Sequence, residues 1–162
     1  MVSSNRNRQL IYDEIRRMWV KATPEEKVRQ RWLQTMVHRL QYPKELLVVE
    51  KNLRELPSLF SCNVPDRRVD ILLFGKGVDP SYALSPLLLI ECKHAHLTEA
   101  AMDQVIGYNH YVKAYFVAVV NQNLVRLGYF NAEKKKYEFC SVLPSYMELM
   151  QWIVSKRPLV NP

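Results

Sequence analysis

Glycine, cysteine and long apolar runs are all scarce in this chain. Only four glycines occur in 162 residues, and none belongs to a GxGxxG or GxxxxGK[ST] pattern, so neither a Rossmann dinucleotide site nor a nucleotide-driven motor is supported. No GxSxG elbow is present, which disfavours hydrolysis through a covalent serine intermediate. The three cysteines, Cys62, Cys92 and Cys140, lack CxxC spacing and read as free thiols of a reducing compartment. The longest apolar runs, 87–90 and 114–120, fall far below the ~20 residues that span a bilayer. The first residues lack the apolar core of a signal peptide, and the expectation is a cytoplasmic protein with no membrane partner.

Acidic residues are also in deficit, 16 against 23 Lys and Arg, giving a net charge of +7. That excess suits an anionic partner, with nucleic acid the commonest candidate because phosphate neutralisation dominates such binding. It equally suits a well-solvated basic protein, and charge alone does not choose. Length, 48% hydrophobic content and 24% charged content predict one globular domain over 1–162.

Leu10, Ile11, Glu14, Ile15, Met18 and Trp19 fall at helical spacing, predicting a helical extension over 1–22 packed on the domain, with Arg6, Arg8, Arg16 and Arg17 as a basic flank. Thr23-Pro24-Glu25-Glu26 then reads as a helix start with a capping threonine, a proline in the first turn and Glu26 as the capping-box partner. The apolar face of Val28, Trp32, Met36 and Leu40 continues until Tyr42-Pro43. Strands are expected near 46–49, 64–74, 87–93, 114–120, 124–130 and 137–140, with helices capped by Thr98 and over 145–154. The strands at 64–74 and 87–93 suit a hairpin, and the strand–helix–strand succession from 87 to 120 suits a parallel crossover. Lys134, Lys135 and Lys136 read as a solvated turn, with a phosphate-contacting tip as the alternative.

Chemistry concentrates at Asp70, Glu91 and Lys93. Side chains alternate along a strand, so Glu91 and Lys93 share one face while Cys92 and His94 take the other. After four aliphatics, Glu-Cys-Lys places charge where burial is costly, and Asp70 interrupts a second apolar run that a neighbouring strand would bring beside Glu91. Two converging carboxylates suit Mg²⁺, which keeps waters and binds through one or two carboxylates plus substrate phosphates. The bland alternative is a strand-end ion pair of Asp70 with Lys93, leaving Glu91 in solvent. Cys92, His94 and His96 suggest zinc chemistry only faintly, since a fourth ligand is missing.

Further residues carry a resemblance. Ile11-Tyr12-Asp13 with Ile15-Arg16, then 23–30 (TPEEKVRQ), Glu50, Arg68-Val69-Asp70-Ile71, Leu89-Ile90-Glu91-Cys92-Lys93 and Gln104-Val105-Ile106-Gly107-Tyr108-Asn109 follow the order and spacing of the PD-(D/E)XK nuclease superfamily. The chain specifically resembles the N-terminal nuclease domain of type I restriction enzyme R subunits. Two departures stand out: the strand runs on into His94-Ala95-His96 rather than alanine and proline, and Val120-Asn121-Gln122 replaces the usual Thr-Asn-Gly.

The resemblance implies an α/β fold with a restriction-endonuclease-like core, a central mixed sheet of about five strands flanked by helices. It implies a metal-dependent endonuclease hydrolysing DNA, with Mg²⁺ (Mn²⁺ substituting) held by Asp70, Glu91 and Glu25, and with Lys93 as the catalytic lysine. Gln104 and Tyr108, on one helical face, would contact nucleic acid or support the site. No organic cofactor is implied. A partner-dependent or non-catalytic nucleic-acid-binding subunit, or a nuclease for RNA or branched DNA, stays open, as do a homodimer and a larger restriction or repair assembly.

Overall fold

A computed structural model describes residues 9–60 and 62–156. Where spacing predicts a helix, the chain instead forms a ribbon: β1 (Leu10–Asp13) pairs antiparallel with β2 (Met18–Lys21). The helical extension is therefore corrected to a hairpin. The apolar positions fit a helical stripe and two short strands alike, so local hydrogen bonding decides. The Asp13 carboxylate accepts the backbone N–H groups of Ile15 and Arg16, both at 2.8 Å, the side-chain competition that favours turns over helix. Arg17 then takes φ 54°, in the left-handed region that a helix does not tolerate. Arg6 and Arg8 lie outside the described residues.

The helix start at Thr23 appears as expected. In α1 (Pro24–His38) the Thr23 hydroxyl accepts from Glu26 N at 3.1 Å, with Pro24 in the first turn, a cap worth about 1 kcal/mol. Glu26 does not complete a capping box, because its carboxylate turns inward to arginines instead. Val28, Leu33 and Met36 are buried along the helix. Tyr42 stops the chain beyond it, its hydroxyl donating to Pro144 O at 2.7 Å.

The sheet has six strands rather than about five, ordered β3-β4-β5-β6-β7-β8: β3 (Leu47–Asn52), β4 (Arg68–Lys76), β5 (Leu84–Cys92), β6 (Phe116–Val120), β7 (Val125–Asn131) and β8 (Lys136–Cys140). The β4–β5 pair is the expected antiparallel hairpin. β5 reaches the parallel β6 through α2 (Glu99–Val112), the crossover a parallel pair requires. β5 extends through Pro86 because the ladder shifts register between Leu73 and Phe74, with Pro86 opposite Phe74. Proline is tolerated at such an irregularity.

Two cores sandwich the sheet. On one face Val28, Leu33 and Met36 of α1 and Leu149 and Ile153 of α3 (Tyr146–Lys156) pack on Ile71, Ile90 and Ala118. On the other, Met102, Val105 and Val112 of α2 pack on Leu72, Leu89 and Val117. Every residue of β6 is buried, as befits a strand covered on both faces. No described helix is long and apolar enough to cross a membrane.

Candidate active site

The site grows from the end of the β3–β4–β5 ladder. Ile71 pairs with Ile90, so one step along each strand brings Asp70 opposite Glu91. On the other side Val49 pairs with Ile71 and Lys51 with Val69, which leaves Glu50 facing Asp70. Glu50 itself adopts φ 54°, a local strain for a non-glycine residue that breaks regular pairing there. Three carboxylates thus stand in a row across three adjacent strands.

Asp70 is held at both oxygens. Oδ2 accepts the backbone N–H of Cys92 at 2.6 Å, and Oδ1 accepts Arg29 Nη2 at 2.5 Å. Lys93 follows directly after β5, where its backbone N–H donates to Val120 O at 2.8 Å.

Glu91 and Lys93 share a face, as alternation predicts. Lys93 Nζ donates to Glu91 Oε1 at 2.9 Å and to Gln104 Oε1 at 3.2 Å. The Gln104 amide donates in turn to Glu91 Oε1 at 2.9 Å and to the Tyr108 hydroxyl at 3.0 Å. The spacing of Gln104 and Tyr108 on α2 aims both at this network rather than into solvent. The ion pair of Asp70 with Lys93 does not form, and Glu91 is buried at 8% exposure.

Burial, and then the negative charge of Asp70, push the Glu91 carboxyl upward despite the Lys93 ammonium beside it. For Lys93, burial alone would favour the neutral amine, but the bond to Glu91 and the charges of Glu91, Asp70 and Glu25 outweigh it and raise its pKa. The group facing the site is therefore an ammonium, suited to orienting and stabilising rather than to removing a proton. The Cys92 thiol is driven well up by burial and by Asp70, which makes it an inert core sulfur.

Glu25 lies in the first turn of α1 with its side chain half exposed, 3.4 Å from His94 Nδ1. It adds negative charge at Glu91 and Lys93 through space. Sequence reasoning assigned no role to Arg29, the hub of the acidic row. Its guanidinium, buried in α1, bridges Glu26 at 2.5 Å, Asp70 at 2.5 Å and Glu50. Glu26 also accepts Arg16 at 2.5 Å and Gln30 at 2.8 Å, while Gln30 and Arg16 both bond Asp13. A local signal existed in the i, i+3 spacing of Glu26 and Arg29; the partners on β3 and β4 had none.

Asn121 also escaped assignment. Its backbone carbonyl accepts Trp32 Nε1 at 2.7 Å, and its side-chain amide donates to Ala95 O at 3.0 Å. It ties α1 to the chain leaving Lys93.

Asp70 and Glu91 offer the hard oxygen donors that Mg²⁺ prefers. Each oxygen has two lone pairs, so the bonds to Arg29, Cys92, Lys93 and Gln104 leave coordination capacity. Burial is the first cause of the raised Glu91 carboxyl and the nearby Asp70 charge the second; a cation bound between the two carboxylates would oppose both effects. The donor set thus fits such an ion. Among the described residues no group of three or more His, Cys, Asp or Glu side chains is arranged to hold a metal, so water and substrate oxygens would have to complete the coordination. Cys92, His94 and His96 form no such group either.

Residues 24–144 match the family model of the type I restriction enzyme R protein N terminus. No curated protein and no solved structure matches the chain. The matched span runs from the first residue of α1 past the last strand of the sheet and takes in Glu25, Arg29, Asp70, Glu91, Lys93, Gln104 and Tyr108. An acidic row on adjacent strands, a part-buried Glu–Lys pair and a Gln–Tyr face on the following helix thus lie within one family signature, and the chain belongs to the type I restriction enzyme R protein N-terminus family, a family of restriction-type nuclease domains.

Proposed function

We propose that the protein is a Mg²⁺-dependent endonuclease that hydrolyses DNA phosphodiester bonds with water, within or beside a larger restriction assembly. The observation that carries this reading is the pair of buried Glu91 with half-buried Lys93, clamped by Gln104 and standing opposite Asp70. Burying charge costs free energy that pairing only partly offsets, and charged groups kept at such a cost cluster at functional sites.

Asp70 and Glu91 would hold the ion, with water and substrate oxygens completing its coordination; Glu25, half exposed at the start of α1, would join them only by turning from His94 toward the strands. When bound, the ion would offset charge developing on the scissile phosphate. Lys93 presents its ammonium toward the same space, where it orients the attacking water and stabilises phosphate oxygens. Gln104 fixes both Glu91 and Lys93, so neither side chain has to reorganise as charge develops. Tyr108 holds the Gln104 amide in the orientation that serves Glu91. Arg29 positions Asp70 from behind.

Metal binding tests the ligand assignment separately from turnover. Calorimetric titration with Mn²⁺ is expected to show a site whose affinity falls at least about tenfold in Asp70→Asn and in Glu91→Gln, since even outer partners of a metal site contribute ten- to a hundredfold. Unchanged Mn²⁺ affinity in Glu91→Gln, with the fold intact by circular dichroism, would remove Glu91 as a ligand.

A further inference from the structure

The β1–β2 ribbon presents a surface that the acidic site does not use. Tyr12 pairs with Trp19 and Leu10 with Lys21, and alternation places all four side chains on one face. That face is open: Trp19 is 64% exposed, Leu10 52% and Tyr12 45%. The other face carries the fully buried Asp13, which accepts Gln30 Nε2 of α1 at 2.7 Å.

A two-stranded ribbon is marginal by itself, so its anchoring matters. Arg16, bonded to Asp13 and Glu26, locks the ribbon to the helix that carries Glu25 and Arg29. Ala22 N donates to Gln9 O at 2.9 Å and closes the ribbon immediately before the Thr23 cap. The aromatic face therefore begins at the helix end where Glu25 stands.

We propose that this outer face is a stacking surface for unpaired bases of the nucleic-acid substrate, a role that rests on the nuclease reading for its biological sense. The rings of Tyr12 and Trp19 meet at 64° with centroids 5.4 Å apart, and the indole, 64% exposed, is open to a stacked base. Arg17 and Lys21 are exposed on the same ribbon, without ion-pair partners among the described residues, and supply the charge that a phosphate backbone complements. Among the described residues of the ribbon, none on this outer face is a carboxylate. Exposed aromatics flanked by free cations on a rigid support are what sequence-tolerant single-strand binding requires, and prior anchoring reduces the ordering cost of association. A second copy of the chain seated on this face is the competing occupant, and the test separates the two.

The full chain is titrated, in chelator and without metal, with a short oligothymidylate and with a duplex of equal length. Tryptophan emission and anisotropy of the labelled DNA are read together. Trp32 and Trp152 are half-buried, so quenching on stacking reports chiefly Trp19. The expected result is quenching by the single strand in the wild type. Trp19→Ala loses the quenching and binds the single strand about 5- to 150-fold more weakly, with a smaller change for the duplex. Trp19→Phe retains most of the affinity, and Tyr12→Ala weakens the single strand in the same sense.

Unchanged single-strand affinity in Trp19→Ala overturns the proposal, as does an equal loss for single strand and duplex. It is overturned too if Trp19→Ala merely converts a dimer to a monomer by light scattering with DNA affinity preserved. Because no cleavage is needed, a wild type that stacks the oligonucleotide but never cuts with metal overturns the nuclease reading alone. A Trp19→Ala protein that cuts and binds single strands normally overturns the stacking surface alone.

Discussion

Replacing Arg29 by methionine is expected to destabilise the protein by about 3–5 kcal/mol, the usual cost of removing one partner from a buried ion pair. The side chain is only 6% exposed and serves Glu26, Glu50 and Asp70 at once. Burial disfavours the guanidinium charge, yet Asp70 first and then Glu50 and Glu26 hold it firmly protonated. Methionine fills similar space but leaves Asp70 without its cation, while Glu26 keeps only Arg16 and Glu50 only the exposed Arg68. Lysine should recover only part of the loss, because a point charge on one nitrogen cannot replace a planar fork reaching three acids. Urea unfolding at neutral pH measures the difference. A loss below about 1 kcal/mol, the range of exposed pairs, would show that the acidic row does not need Arg29.

The second large effect concerns turnover rather than stability. Lys93→Ala is expected to slow DNA cleavage at least about 10²- to 10³-fold, the range for removing one preorganised donor from developing charge. Lys93 sits at the margin of the fold: its side chain is 26% exposed and its partners are Glu91 and Gln104. Removing it should therefore leave melting temperature and DNA affinity near wild type, since the role belongs to the chemical step. Single-turnover cleavage at saturating protein, with binding followed by anisotropy, separates the two quantities. Equal rates in Lys93→Ala and wild type would sink the assignment of this lysine to the chemistry.

Legibility in the sequence followed the range of the interactions involved. Thr23 and Thr98 announced their helices because capping is local, and both hydroxyls accept the backbone donor three residues on. The aliphatic runs of β5 and β6 declared buried strands for the same reason. Glu91 and Lys93 were readable because charge at the end of such a run is expensive, and Gln104 and Tyr108 because helical spacing puts them together. The ribbon over 10–21 was misread because its period was ambiguous and the deciding contacts were the Asp13 carboxylate on two backbone N–H groups. The role of Arg29 was hidden by distance: its bond to Asp70 spans 41 residues, and its other strand partner, Glu50, sits at a left-handed kink that no local pattern announces. Glu26, read as a capping-box residue, illustrates the same limit. Its backbone does what the motif says, while its carboxylate answers to arginines that only the fold brings near.

If Asp70, Glu91 and Lys93 form a metal-dependent hydrolytic centre, purified wild-type protein cuts DNA only with the metal. Supercoiled plasmid is incubated with it in Mg²⁺ or Mn²⁺, against the same mixture in chelator and after metal is restored. Nicking or linearisation is expected to appear with the metal, disappear with the chelator and return on restoration. Cleavage of equal rate in chelator would contradict it, as would a folded, metal-loaded protein that leaves plasmid, single-stranded and branched DNA all intact.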